Sequence, residues 1–198
     1  MIPIGYMAKR VGKPPGWLGP AHIVDVYSVG SCVNDNFADY TNFWKHNAYW
    51  FFDSPQVIQT LAKEHSLDLA GTRLFYYEAF EKEFSGEKSL EREFSRKAWR
   101  PVPSVPDRFG IPVNVVQPAE KRLEGYDVVT VWVENSPDPE HSPLSCNGFA
   151  DRIPTNVHCL IDSFEQAESS INRGEFQDGE PGALRIIGVY SIDWPQDK

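Results

Sequence analysis

The order of strand-like and helix-like segments is the sequence feature that most constrains the fold. Short runs rich in Val, Ile and aromatic residues predict strands, and apolar side chains spaced about 3.6 residues apart predict helices. Strands are predicted at Ile23–Val29, Arg73–Phe84, Tyr126–Glu134, Asn156–Asp162 and Ala183–Ile192. These strands do not alternate regularly with helices, and no glycine-rich turn joins a strand to a helix. The order predicts an α+β fold with a mainly antiparallel or mixed sheet, rather than a doubly wound parallel one.

About three helices are predicted beside these strands. Large aromatic residues form one stripe along a helix predicted over Asn36–Asn47. The second helix has a clear start, because Ser54 is a suitable N-cap and Pro55 suits the first helical position. The third is predicted to begin after Ser163 as N-cap and to stop at Gly174.

The chain has 198 residues, which is typical of one generous domain, and we predict a single domain over 1–198. Residues 1–20 are rich in Pro and Gly, which predicts an irregular N-terminal arm with at most a short strand at Ile2–Tyr6. Prolines are also dense over 100–120 and 136–148, and these two stretches are predicted to be long loops. No internal repeat of fixed period is evident in the sequence.

The charge of the chain argues against one large class of function. Asp and Glu total 28 against 19 Lys and Arg, which gives a formal net charge of −9 at pH 7. Nucleic-acid phosphates are bound by cationic surfaces, so general nucleic-acid binding is not expected, whereas a basic protein partner would complement this charge.

Two further features bear on location. The sequence has no apolar run of signal-peptide or membrane-span length, so no membrane contact is predicted. The cysteines number 3 and form no CxxC pair, which indicates reduced thiols and a cytoplasmic location.

Several common catalytic signatures are missing from the sequence. It contains no GxxxxGK[ST] phosphate loop, no GxGxxG turn after a strand, no HExxH and no GxSxG. We therefore predict no cofactor. Enzymes whose residues converge only in the folded chain are not excluded by these absences.

One group of reactive side chains suggests an enzyme. Cys146 and His158 could form a thiolate–imidazole pair if the segment between them doubles back, and Asn147 could orient the imidazole or a substrate. A cysteine-dependent enzyme is therefore the alternative functional hypothesis. The competing interpretation is that the cysteines are small buried apolar residues.

The same region could be considered as a zinc site, since it offers His141, Cys146, His158 and Cys159. Structural zinc sites usually supply ligands in pairs separated by about two to four residues. The adjacent His158 and Cys159 would point to opposite faces of a strand. No metal site is predicted.

The leading hypothesis is an acidic protein that binds and neutralises or regulates a basic protein partner. Trp99 and Phe109 are candidate aromatic anchors, and Asp138 and Glu140 are candidate charged contacts. In size and charge the chain resembles small acidic bacterial proteins, some of which are immunity proteins that neutralise a toxin. The likeness is one of size and charge only.

Overall fold

A six-stranded sheet organises the protein, and every described strand pair in it is antiparallel. The computed structural model describes residues 1–30, 33, 35–36, 46–47, 49–80, 114–131, 139–179 and 183–195. The strands are β1 (Ile2–Arg10), β2 (Asp35–Asn36), β3 (Arg73–Ala79), β4 (Arg122–Val131), β5 (Pro139–His141) and β6 (Ala183–Ile192). Their spatial order is β2-β1-β3-β6-β4-β5.

Three helices accompany the sheet in the described part of the chain: α1 (Pro55–Glu64), α2 (Pro143–Cys146) and α3 (Phe164–Asn172). A short 3₁₀ turn covers Phe149–Asp151. The α+β class with an antiparallel sheet is thereby confirmed.

The two helices with clear start signals form as predicted. The Ser54 hydroxyl accepts a hydrogen bond from the Val57 amide at the start of α1, and Ser163 accepts one from the Gln166 amide at the start of α3. Each cap satisfies a backbone donor that the first helical turn leaves unpaired. The helix predicted over Asn36–Asn47 lies almost entirely outside the described residues.

Some strand predictions are confirmed and two are wrong. β6 has the predicted bounds, and the predicted strands at Arg73 and Tyr126 correspond to β3 and β4. Ile23–Val29 is not a strand. This segment crosses one face of the sheet without joining it, and most of its apolar side chains are buried there. Asn156–Asp162 contains a turn and a single bridge at Ile161.

Two stretches that were predicted to be irregular contain regular structure. β1 occupies much of the N-terminal arm predicted over 1–20, and it is longer than the short strand considered there. The loop predicted over 136–148 contains β5 and α2. Of the loop predicted over 100–120, only 114–120 lies within the described residues, and this part has no helix or strand.

The two halves of the protein repeat one structural unit, although the sequence shows no repeat of fixed period. β1, α1 and β3 of the first half match β4, α3 and β6 of the second, and β3 pairs with β6 where the halves meet. The segment NAYWFFDS at 47–54 corresponds to NVHCLIDS at 156–163, and each segment ends in the serine that caps the following helix.

An asparagine at the start of each repeated segment attaches it to the first strand of its own half. The Asn47 amide donates to the Ile4 carbonyl, and its oxygen accepts from the Tyr49 and Phe51 amides. Asn156 makes the same three contacts in the second half, with the Glu124 carbonyl and the His158 and Leu160 amides.

A glycine in each first strand allows this attachment. Gly5 and Gly125 have φ of 133° and 147° and lie where the strand register shifts. A Cβ on Gly125 would lie 2.8 Å from Leu160 Cβ, and a Cβ on Gly5 would lie 2.6 Å from Phe51 Cβ. Only glycine adopts this backbone conformation readily, so the bulge and the asparagine contact depend on it.

The helices cover one face of the sheet. Ala167 and Ile171 of α3 share an apolar cluster with Val128, Leu184 and Ile186, and Phe164 at the start of α3 contacts the Tyr126 ring. On the first half, α1 packs through Ile58 and Leu61 into a cluster with Ala8 and Leu74. We call this the helix face. The opposite face lies under residues 25–30.

We expect Gly125→Ala to destabilise the protein by about 1–3 kcal/mol, because alanine would be strained at this φ and would clash with Leu160. The matched control is Gly12→Ala, since no atom lies within 4 Å of a Cβ at that position. Urea unfolding of both variants measures the difference. Equal midpoints for the two variants would show that the bulge does not need glycine.

Candidate functional site

A buried pair of opposite charges lies beneath residues 25–30. Lys9 and Asp127 are both fully buried, and the Lys9 ammonium donates to the carbonyls of Ser28, Val29 and Gly30. The Asp127 carboxylate accepts from the Val29 amide at 2.8 Å and from the Ser142 hydroxyl at 2.6 Å. These contacts hold the crossing segment against the sheet.

Burial dominates the protonation of both groups. It lowers the pKa of Lys9 to about 7, against the opposing charge of Asp127. It also raises the pKa of Asp127 to about 6, despite the hydrogen bonds from Ser142 and Val29 and the nearby Lys9 charge. Because neither side chain is exposed, this pair serves the fold rather than a ligand.

We expect the buried lysine to make stability depend on pH. The folded pKa of Lys9 is about 7, whereas the ordinary value is 10.5, so between these values the unfolded chain binds more protons. The contribution of Lys9 to stability is therefore fully present above about pH 10.5 and is lost as pH falls through about 7. The free energy of unfolding should rise more steeply with pH in the wild type than in Lys9→Met. Urea titrations across this range test it, and parallel slopes would contradict it.

A chain of charged side chains surrounds His158 at one end of the sheet. His158 Nδ1 pairs with Asp25 Oδ1, and its Nε2 lies 3.6 Å from Glu124 Oε2. Arg122 Nη2 lies 2.7 Å from Glu124, and Arg73 Nη1 lies 3.9 Å from Asp25. We call these five residues the His158 cluster.

Tyr27 completes the packing of this cluster. Its ring stacks on the His158 imidazole with centroids 4.1 Å apart and an interplanar angle of 9°. The Arg73 guanidinium lies over the Tyr27 ring, 5.2 Å from its centroid. The imidazole is therefore fixed in orientation by a ring and by two carboxylates.

The geometry limits what His158 can do chemically. Each ring nitrogen faces a carboxylate, so neither nitrogen is directed at a substrate proton or a thiol. The arrangement is better suited to linking the segments around Asp25 and His158 than to using His158 as a general base.

The charged residues around His158 are not shared by the first half of the structural repeat. Glu124 precedes Gly125 as Ile4 precedes Gly5, and His158 follows Asn156 as Tyr49 follows Asn47. The first half therefore carries apolar or aromatic residues at the same positions. Sequence reasoning identified His158 but missed Asp25 and Glu124; the aligned repeat would have marked Glu124 as a polar exception, whereas Asp25 lies outside the repeated unit.

The structure separates the residues of the predicted cysteine site. Cys146 is half of a disulfide, so the prediction of three reduced thiols is wrong. Asn147 is exposed at the C-terminal cap of α2, whereas the His158 side chain contacts Asp25, Glu124 and Tyr27. A Cys146/His158 enzyme would need this disulfide to be reduced and His158 to leave its carboxylates.

The remaining candidate residues have varied outcomes. Trp99, Phe109 and Asp138 lie outside the described residues, and Glu140 is described only as a backbone position in β5. Within the described ranges, no group of three or more His, Cys, Asp or Glu side chains is arranged to hold a metal ion.

We expect neither Cys146 nor Cys159 to react with iodoacetamide in the native, unreduced protein. Cys146 has no free thiol, and burial raises the pKa of the Cys159 thiol to about 12. Peptide mass spectrometry should find Cys159 labelled only after denaturation and Cys146 only after reduction. Rapid labelling of native Cys146 at mildly acidic pH would instead revive the cysteine-enzyme hypothesis.

A second polar cluster lies on the helix face, where the two halves meet. The Lys121 ammonium pairs with Glu78 Oε1, and the Tyr76 hydroxyl donates to the same oxygen at 3.1 Å. The ammonium also lies 4.3 Å from the Tyr190 ring centroid and 5.1 Å from that of Tyr76. We call Tyr76, Glu78, Lys121 and Tyr190 the Glu78 cluster.

Three carboxylates in and just before α3 add an acidic surface beside this cluster. Asp162 and Glu165 are exposed and Glu168 is half-buried, and no ion pair of the described residues involves any of them. Glu165 and Glu78 both contribute to raising the pKa of Tyr126, after burial, so the phenol lies within the field of both acids. We call Asp162, Glu165 and Glu168 the α3 acidic surface.

Comparison with protein-family models, curated protein sequences and solved structures gives no match to this chain. Among the described residues, no helix has the length and apolar character needed to span a bilayer.

Proposed function

We propose that this protein binds a basic protein partner through the α3 acidic surface and thereby neutralises or regulates it. The observation that carries the proposal is the lack of a cation beside Asp162, Glu165 and Glu168 in the described structure. Carboxylates without a partner in the free protein are available to a cationic surface. The net charge of −9 adds long-range attraction for the same kind of partner.

Nearby charges in the second half are already balanced. Arg152 Nη1 lies 3.3 Å from Asp178, and Arg173 Nε lies 2.9 Å from Glu175. Among the described residues, the three α3 carboxylates have no such cation beside them.

Aromatic side chains next to these carboxylates supply apolar contact area. Phe80, Tyr126 and Phe164 are partly buried, and the Phe164 ring contacts Phe80 at 4.6 Å and Tyr126 at 6.1 Å between centroids. Partly exposed aromatic residues ringed by charge are typical of the strongly contributing positions in protein interfaces. The combination favours a protein partner over a small inorganic cation.

The cysteine-enzyme hypothesis remains a prediction without supporting geometry, because Cys146 is disulfide-bonded and His158 is engaged elsewhere. Cytoplasmic location also remains a prediction, and a disulfide is uncommon in a reducing compartment.

We expect Glu168→Lys to weaken binding of fluorescently labelled poly-L-lysine by about tenfold, which corresponds to ~1.4 kcal/mol. The reversal places a cation on the acidic surface, and the effect should shrink as salt is raised. Fluorescence anisotropy at low and high ionic strength measures both changes.

Glu64→Lys on α1 is the matched control, because Glu64 is an exposed helical glutamate and the reversal changes the net charge by the same amount. It should weaken binding far less than Glu168→Lys. If the two variants lose affinity equally, the binding reflects overall charge, and the α3 acidic surface is not the site.

A further inference from the structure

The Glu78 cluster has the composition of a site for an alkylammonium group. An ammonium over the faces of two tyrosines gains cation–π attraction, and a carboxylate behind the rings supplies the opposite charge. In this protein the rings are Tyr76 and Tyr190, the carboxylate is Glu78, and the ammonium belongs to Lys121.

Burial makes the Glu78 carboxylate dependent on a cation. Glu78 is 9% exposed and Tyr76 is fully buried. Burial acts to raise the pKa of Glu78, but hydrogen bonds from Lys121, Tyr190 and Tyr76 and the Lys121 charge outweigh it, so the net pKa lies below the ordinary value. A buried carboxylate left without this cation would be costly.

A glycine gives the Tyr190 ring room within the cluster. Gly188 lies between Glu78 and Tyr126 in the sheet, and a Cβ there would come within 3.1 Å of the Tyr190 ring. The equivalent position in the first half is occupied by Tyr76, because Tyr6 pairs with Tyr76 as Tyr126 pairs with Gly188. The Tyr190 ring lies over Gly188, so the missing side chain lets this ring pack on the helix face beside Glu78.

The Lys121 side chain reaches the cluster from the end of the segment 114–121. Residues 114–121 are held at Val116, whose amide donates to the Asp53 carbonyl and whose carbonyl accepts from the Tyr6 hydroxyl. The Lys121 side chain is 31% exposed and lies just before β4. It also lines a cleft of about 950 Å³ between this segment, the start of α1 and residues 191–195. The side chain can therefore leave the cluster for this cleft without breaking the Val116 contacts.

We propose that the Glu78 cluster is a lysine-binding site, which Lys121 fills in the free protein and which a lysine side chain of the basic partner enters in its place. This inference rests on the proposed function, because it assigns one specific contact of that partner. Lys121 acts as an internal competitor, whose effective concentration at a site on the same chain is on the order of millimolar. The partner gains the site only when other contacts, such as those of the α3 acidic surface, hold it in place.

The test uses N-acetyl-lysine methylamide as the probe, and NMR shifts of the Tyr190 and Gly188 backbone amides as the readout. Lys121→Ala should bind the probe with a dissociation constant at least ten times lower than that of the wild type, because the competitor is gone. The matched control is Lys13→Ala, an exposed lysine with no described ion pair, which should bind like the wild type.

Two further measurements test the role of the cluster itself. Adding Glu78→Gln to Lys121→Ala should abolish binding, and Tyr190→Leu in the same background should weaken it, which covers the case in which the Glu78 variant does not fold. The uncharged probe N-acetyl-norleucine methylamide should not bind. The proposal is overturned if Lys121→Ala binds no tighter than the wild type, or if the norleucine probe binds equally well.

The outcome can be separated from that of the α3 acidic surface. Binding of the lysine probe to Lys121→Ala, together with equal poly-L-lysine affinities for Glu168→Lys and Glu64→Lys, would support the lysine site and reject the α3 surface. If the lysine probe binds Lys121→Ala no tighter than the wild type, and Glu168→Lys loses more poly-L-lysine affinity than Glu64→Lys, the α3 surface is supported and the lysine site is rejected.

Discussion

The asparagine side chain that ties each repeated segment to its first strand is the interaction on which the rest of the structure depends. The side-chain amides of Asn47 and Asn156 each form three hydrogen bonds with backbone groups where the chain turns beside a bulge. The helix of each half begins a few residues later, so its position on the sheet follows from that junction. The junction works only because Gly5 and Gly125 bring two backbones closer than a Cβ would permit.

Local signals were sufficient for the elements whose stability is local. Ser54 and Ser163 predicted the starts of α1 and α3 correctly, since a cap depends on residues within one turn. β6 was also recognisable, because its β-branched and apolar residues match a buried strand. Ile23–Val29 had the same composition but is buried as a crossing segment, and composition alone cannot separate a strand from another buried extended chain.

The polar clusters were harder to predict because their members are distant in sequence. Asp25 meets His158 across 133 positions, and Glu78 meets Lys121 across 43. Recognising the repeat would have helped, since NAYWFFDS and NVHCLIDS align without gaps and show where His158 replaces Tyr49. The repeat was missed because its two copies share only a few identities, and the residues between those segments and the strands differ in number.

The described edges of the sheet bear on how any partner can attach. The outermost strands, β2 and β5, have two and three residues, whereas β3 and β6 are in the centre. Edge strands this short present few unpaired backbone groups to another chain, which is a common protection against aggregation. Within the described residues, these two strands therefore offer few backbone groups for strand addition. A partner that does not add a strand would contact side chains instead. A few substitutions among these side chains could change which partner binds without altering the sheet.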